Sequence, residues 1–322
     1  MYKPSDKTTW KGRMDPQDGE LGLRWHQVVE LVDLSREVED GHGSFVFLGF
    51  SSDEGVWRNQ GRVGAAGGPD AIRRAMASFA DHLPEGIRLF GGGDVICANH
   101  RLEEAQAQLG KKVEMLLRKG YKPLVLGGGH ETAYGHFLGI RKGLQVGEKL
   151  GIINLDAHFD LRSYSQHSSS GTPFLQIADD LEADGLEFHY LCVGIQEAGN
   201  TRKLFQSAAE RKVHYVLADD LHTGMNTEIQ DKLQTFISAV DKVYLSIDLD
   251  VFAAAYAPGV SAPTALGLTP QVVVLLLREI ISSGKLLTVD VVELNPAYDI
   301  DNQTSKLAAS LIYQIIQKWA EK

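Results

Sequence analysis

Cysteine is scarce in this chain: Cys97 and Cys192 are the only two among 322 residues, and both sit inside apolar runs. A disulfide framework is thereby excluded as a source of stability, and two buried thiols, as expected here, suit a reducing compartment. Long apolar runs are missing too. No stretch approaches the roughly 18 to 20 residues a membrane helix needs. The start, Met1-Tyr2-Lys3-Pro4-Ser5-Asp6, lacks the charged-then-apolar order of a secretion signal. The expected location is the cytoplasm. Positive charge is not in excess either: the formal net charge is -10, with acids spread along the chain rather than blocked into a tail. That balance argues against nucleic acid or an anionic membrane surface as a partner.

What is present is an alternation. Residues 1–43 are polar and without a clear period, although they hold Trp10 and Trp25. Thereafter apolar, strand-like runs occur at 44–50, 122–126, 150–155, 189–193, 212–217, 242–247 and 286–292. Helical spacing fills most of the gaps. Leu102, Leu109, Val113, Leu116 and Leu117 form one stripe, which Gly120 closes; Thr269-Pro270 opens another helix, which Gly284 ends. Leu307, Leu311, Ile315 and Trp319 line a last one. Strand–helix–strand repetition predicts an α/β fold built on a parallel sheet covered by helices on both faces. No low-complexity linker or internal repeat divides the chain, so one domain over 1–322 is expected, with 1–43 as an irregular lead-in. The run Gly91-Gly92-Gly93-Asp94 lacks nucleotide-loop spacing and reads as a loop near the site.

Four of the apolar runs end in acids or histidines. Leu124-Val125-Leu126 leads into Gly127-Gly128-Gly129-His130-Glu131, and Ile152-Ile153-Asn154-Leu155 into Asp156-Ala157-His158-Phe159-Asp160. Leu245-Ser246-Ile247 leads into Asp248-Leu249-Asp250, and Val291-Val292 into Glu293-Leu294-Asn295-Pro296. Singly, each has an ordinary reading, since an Asp at a strand end commonly caps the next turn. Together they do not. In parallel sheets the carboxyl ends of strands share one edge, and four converging aspartates repel one another by several kcal/mol unless neutralised. Cations are the natural neutraliser. Aspartates with two histidines and no thiolate suit Mn²⁺ and, less exclusively, Fe, Co, Ni or Zn. Because side chains two apart in a strand share a face, Asp156 with His158 and Asp248 with Asp250 are expected to reach one metal cluster.

At these residues the sequence resembles the ureohydrolase (arginase–agmatinase) family, in motif order and spacing, from about Gly64 to the C-terminus. The resemblance implies a three-layer α/β/α fold around an eight-stranded parallel sheet, two Mn²⁺ per chain and a homo-oligomer. It implies that His130 and Asp160 hold one ion, that His158 and Asp250 hold the other, and that Asp156 and Asp248 bridge them. A water activated by the ion pair would attack an amidine-like carbon. Asp160 would shuttle its proton, and Glu293 would receive the cationic end of the substrate through paired hydrogen bonds.

Within the family the chain departs from the arginases. Their His-Gly-x-Pro segment after the second motif reads Ser170-Gly171-Thr172-Pro173 here, and their Asp-Pro after the third motif is Ala253-Ala254. These features resemble the formimidoylglutamase branch, as do Arg58-Asn59-Gln60-Gly61-Arg62, Gly194-Ile195-Gln196 and Asn200-Thr201. The implied substrate has an amidine group and two carboxylates. Arg162, two residues beyond Asp160, offers a planar fork suited to a carboxylate. Asn59, Arg62, Ser170 and Asn200 are further candidates for substrate contact, with Arg202 a weaker one. His167 is a candidate substitute for the histidine missing at Ser170, against the simpler reading of a solvated loop residue. The competing readings are a guanidino-compound hydrolase (agmatinase or guanidinobutyrase), a single-zinc deacylase of the same fold, and a binding module without catalysis. The first predicts a histidine at Ser170, the second an incomplete second ion site, and the third missing ligands.

Overall fold

The computed structural model describes residues 1–322. Ten strands form one sheet: β1 (Tyr2–Lys3), β2 (Glu30–Leu31), β3 (Phe45–Ser51), β4 (Leu89–Ile96), β5 (Lys122–Leu126), β6 (Leu150–Leu155), β7 (His189–Ile195), β8 (His214–Leu217), β9 (Lys242–Asp248) and β10 (Leu286–Val292). The helices are α1 (Trp25–Val28), α2 (Glu54–Arg58), α3 (Gly68–Met76), α4 (Leu102–Arg118), α5 (Thr132–Gly143), α6 (Pro173–Ala183), α7 (Arg202–Glu210), α8 (Thr227–Ser238), α9 (Pro270–Ser282) and α10 (Gln303–Ala320). The strand order is β1-β4-β3-β5-β10-β9-β6-β7-β8, with β2 also on β4. The eight long strands all run parallel, as expected; the two-residue β1 adds an antiparallel edge and β2 a parallel one.

Side-chain alternation makes the layers. Phe45, Phe47, Leu124, Leu126, Ile153, Leu155, Leu245 and Val289 face one way and pack against α3, α8, α9 and α10. Val46, Leu48, Val125, Ile152, Tyr190, Cys192 and Tyr244 face the other way, against α4, α5, α6 and α7. Both faces of every central strand are therefore buried, which explains the unbroken Val, Ile and Leu content. The stripe from Leu102 to Leu116 is the buried face of α4, and Gly120 and Gly284 follow α4 and α9 in the left-handed region that ends helices. No helix is long and apolar enough to cross a membrane.

Three expectations are corrected. The glycine run 91–93 is no loop but part of β4, separated from β5 by β3. Glycine is needed because the N-terminal segment lies across it: a Cβ at Gly91 would stand 2.9 Å from Ser5 Oγ, and one at Gly93 would stand 2.3 Å from the Lys3 carbonyl. Nor is 1–43 irregular throughout. It supplies β1, β2 and α1, and its Trp10 and Trp25 are buried 5.7 and 5.9 Å from the Phe47 ring. Cys97, expected to be buried, is only partly so.

The order matters for function. β5, β10, β9 and β6 are consecutive neighbours, so the four sequence motifs that follow them emerge side by side. The chain fills one half of the sheet up to β5 and the other from β6 outward, then returns β9 and β10 to the gap. A switch of this kind leaves a crevice at the carboxyl edge. Leu245, wholly buried in β9 at its centre, tests the packing: Leu245→Ala should cost about 2–5 kcal/mol in thermal or urea unfolding.

Candidate metal centre

The loop after β5 carries His130, and its glycines permit a close approach. A Cβ on Gly128 would lie 1.7 Å from the Ser52 carbonyl oxygen, whose backbone cannot yield. The loop thus sits against the end of β3, with Gly129 N donating to Ser52 O at 3.0 Å. His130 is buried, and its Nδ1 stands 3.2, 2.9 and 3.1 Å from carboxylate oxygens of Asp156, Asp160 and Asp248. That nitrogen has no aligned hydrogen-bond partner in the chain.

Asp156 and Asp248 use the same local device. Asp156 Oδ1 accepts from His158 N at 2.6 Å, and Asp248 Oδ1 accepts from Asp250 N at 2.8 Å. Each is an aspartate turned back on the backbone two residues ahead, which ends the strand and folds the next ligand inward. This corrects the reason given for the pairing: β6 ends at Leu155 and Asp250 lies in a short 3-10 turn, so turns rather than a shared strand face bring the partners together. The other oxygens, Asp156 Oδ2 and Asp248 Oδ2, point at His130. On the far side His158 Nδ1 lies 3.0 Å from Asp250 Oδ2 and 3.5 Å from Asp156 Oδ1.

Two ligand sets result, His130–Asp156–Asp248 and Asp156–His158–Asp250. Asp156 belongs to both, one oxygen to each; Asp248 belongs to the first set alone. Donors at right angles about a cation, each roughly 2.1 Å away, stand about 3 Å apart. The spacings around His130 fit that arrangement, and so does the hard, mixed oxygen and nitrogen donor set.

Electrostatics point the same way. Burial, with repulsion from Asp250 and Asp156, pushes the Asp248 carboxyl well above the carboxylate range. Asp160 and Asp250 rise as well, mainly through burial, with Asp156 adding to both. His158 is raised, chiefly by Asp250, and His130 by the three carboxylates that outweigh its burial. Only Asp156 falls, because its contacts with both histidines overcome its own burial. Without a cation, the cluster holds protons.

Glu293 follows β10 with φ at 66°, and Asp160 has φ at 48°; both are left-handed, which is uncommon outside glycine and clusters at functional sites. Glu293 Oε1 accepts from His130 N at 2.8 Å, while its buried Oε2 has no partner. It opens onto a polar cavity of about 100 Å³, lined by Asn59, His158, Asp160, Arg162, Ser170, Asp248, Asp250 and a few neighbours. Asn59 and Arg162 also line a wider outer cavity with Arg58 and His167. The Arg162 guanidinium makes no hydrogen bond or ion pair within the chain.

Other candidates lie elsewhere. Arg62 does not line the cavity: it donates to the carbonyls of Val260 and Ser261 and stacks over Tyr298. Asn200 is buried, but its amide accepts from Phe159 N and donates to the carbonyls of Ala157 and Gln196, so it shapes the 156–160 loop instead. Arg202 is exposed away from the cavity, and His167 reaches only the outer one. His136 is buried and tied to Asp290 and Thr288, as a structural residue should be. Leu204, Ser261 and Ala262 line the cavity without having been singled out. Nothing local marks them, because α7 and the 256–263 segment arrive from distant parts of the chain.

Two adjoining sets of carboxylates and imidazoles, opening on a polar cavity, are candidate metal sites of the kind a metal-dependent hydrolase carries. The chain belongs to the arginase family, whose profile matches residues 43–317. It is similar to the formimidoylglutamase of Geobacillus thermodenitrificans, 44% identical over 316 residues that cover 98% of this chain and 97% of that one. It is similar also to that of Rhodococcus opacus, 47% identical over 311 residues, 96% of this chain and 95% of the relative. Among solved structures, a Trypanosoma cruzi formiminoglutamase with Mn²⁺ superposes with a TM-score of 0.78 at 26% identity, covering 90% of this chain and 97% of that one.

The raised groups give a signed prediction. His130, His158, Asp160, Asp248 and Asp250 bind protons more tightly in the folded metal-free chain than in the unfolded one, so their contribution to stability fades as pH rises; Asp156 alone opposes it. A cation must displace those protons and competes better when they are scarce. Added Mn²⁺ should therefore raise Tm more at about pH 8 than at about pH 6, as calorimetry would record.

Proposed function

We propose that this chain hydrolyses N-formimidoyl-L-glutamate to L-glutamate and formamide, with two Mn²⁺ per chain held by His130, Asp156, His158, Asp160, Asp248 and Asp250. One observation carries the choice of substrate. The cavity beside the ligand sets offers a buried, unpartnered carboxylate oxygen on Glu293 and an uncommitted guanidinium on Arg162. An amidine head and a dicarboxylate tail complement those two groups. The identity of the curated relatives, sustained over nearly the whole chain, supports the same reading.

Bound cations supply charge neutralisation and a water that is nucleophilic near neutral pH. The chain's own residues supply the rest. Glu293, anchored through Oε1 by the His130 amide, keeps Oε2 free to accept from the amidinium and hold its carbon in place. Asp160, next to the cavity and 2.9 Å from His130 Nδ1, is placed to take the proton of the attacking water and return it to the leaving nitrogen. Arg162 stands where the inner cavity meets the outer one and receives a substrate carboxylate. Ser170 and Asn59 supply neutral hydrogen-bonding groups along the wall. With a serine at 170, the chain has no imidazole there for proton transfer to a guanidino-derived amine.

The direct test offers the Mn²⁺-loaded protein formimidoylglutamate, arginine, agmatine and guanidinobutyrate in separate reactions. Formamide and glutamate from the first alone is the expected result; urea from any other would overturn the assignment. Two variants divide the binding roles. Glu293→Gln should lower kcat/KM roughly 10- to 100-fold, since a neutral amide cannot pair with the cation. Arg162→Ala should raise KM for formimidoylglutamate by a similar factor while leaving turnover of a small amidine without carboxylates unchanged.

A further inference from the structure

Behind His130, on the side away from the cavity, lies a buried polar chain that the reaction does not use. His130 Nε2 is 2.9 Å from Ser246 Oγ, and Ser246 Oγ is 2.6 Å from Asp290 Oδ1. Asp290 Oδ2 accepts from the Tyr244 hydroxyl and faces His136 Nδ1 at 2.8 Å. His136 Nε2 in turn meets Thr288 Oγ1 at 2.8 Å, which is anchored on the Pro123 carbonyl. All of these side chains are buried. A carboxylate in the middle of β10, surrounded by valines, is costly unless each oxygen is satisfied, and here each is.

The direction of the hydrogens follows from what each group can do. Asp290 as a carboxylate only accepts, so the Ser246 hydroxyl proton is directed at it. Ser246 Oγ then presents lone pairs to His130, and Nε2 of that ring must carry the hydrogen. In the neutral ring the lone pair is then left on Nδ1, the nitrogen that faces Asp156, Asp160 and Asp248. We propose that Asp290, acting through Ser246, fixes His130 in the form whose Nδ1 can bind a cation, and so sets metal affinity at the His130 half of the centre. Asp290 is a positioning residue, and His136 and Tyr244 hold it in place. The proposal rests on the metal reading given above.

Replacing Asp290 by Asn reverses the relay. An amide can donate to Ser246, which is then free to donate to His130 Nε2 and drive the ring hydrogen onto Nδ1. Removing an outer partner of a metal-bound histidine typically weakens binding about 10- to 100-fold. The experiment is Mn²⁺ titration by calorimetry on the full chain, wild type and variants. The wild type should take two ions. Asp290→Asn should weaken one of them roughly 10- to 100-fold and leave the other unchanged. Ser246→Ala should weaken that same ion, and adding Asp290→Asn to it should cause no further loss, because the relay is already cut. A purely structural Asp290 would lower affinity equally in both backgrounds, which would overturn the proposal. So would an Asp290→Asn chain that binds both ions as the wild type does. Should that variant fail to fold, Ser246→Ala decides: unchanged affinity for both ions overturns the relay. A wild type that takes up no Mn²⁺ would overturn the metal reading itself, and the relay with it.

Discussion

The repulsion among four largely buried aspartates at one sheet edge is the constraint around which this molecule is arranged. Asp156, Asp160, Asp248 and Asp250 are all largely withdrawn from water, and no lysine or arginine ion pair relieves them; His130 and His158 are their only partners of opposite charge. A carboxylate in such surroundings either takes a proton or awaits a cation. The upward shifts of Asp160, Asp248 and Asp250 show how strongly the bare cluster favours protons. A cluster with this many withdrawn carboxylates and no lysine or arginine partner is organised to bind cations.

Topology makes the concentration of charge feasible. Only because β9 and β10 return to the gap between β5 and β6 do four motif-bearing strands become neighbours. The buried layers of aliphatic side chains on both faces then hold the edge rigid. Local turns do the aiming: each strand-ending aspartate folds back on the amide two residues ahead and presents its second oxygen to His130. Glu293 and Asp160 complete the cavity in left-handed conformations, kept there by backbone contacts such as Glu293 N to the Gly128 carbonyl at 2.7 Å.

Much of this was legible in the sequence, for a definite reason. Each ligand follows an apolar run, so strand periodicity alone places it at the sheet edge. The strand β4 was not legible, because Gly91-Gly92-Gly93 has no side chains to show a period and owes its place to the segment that crosses it. Trp10 and Trp25 looked like residues of a loose lead-in because their partner, Phe47, is far along the chain. Arg62 and Asn200 lie outside the cavity lining for a related reason: they bind backbone carbonyls of other loops, and carbonyls carry no sequence signature. Ser246 and Asp290 did leave a trace. A polar residue inside an otherwise aliphatic strand needs a partner, and Asp290 within Thr288-Val289-Asp290-Val291-Val292 is a charge that demanded explanation.

The central claim is that the four strand ends make one two-ion centre. Crystals grown with Mn²⁺ and measured at its absorption edge test it most directly. The account predicts two anomalous peaks per chain, one beside His130 Nδ1 and the other beside His158 Nδ1. A single peak, or peaks away from both imidazoles, would contradict it.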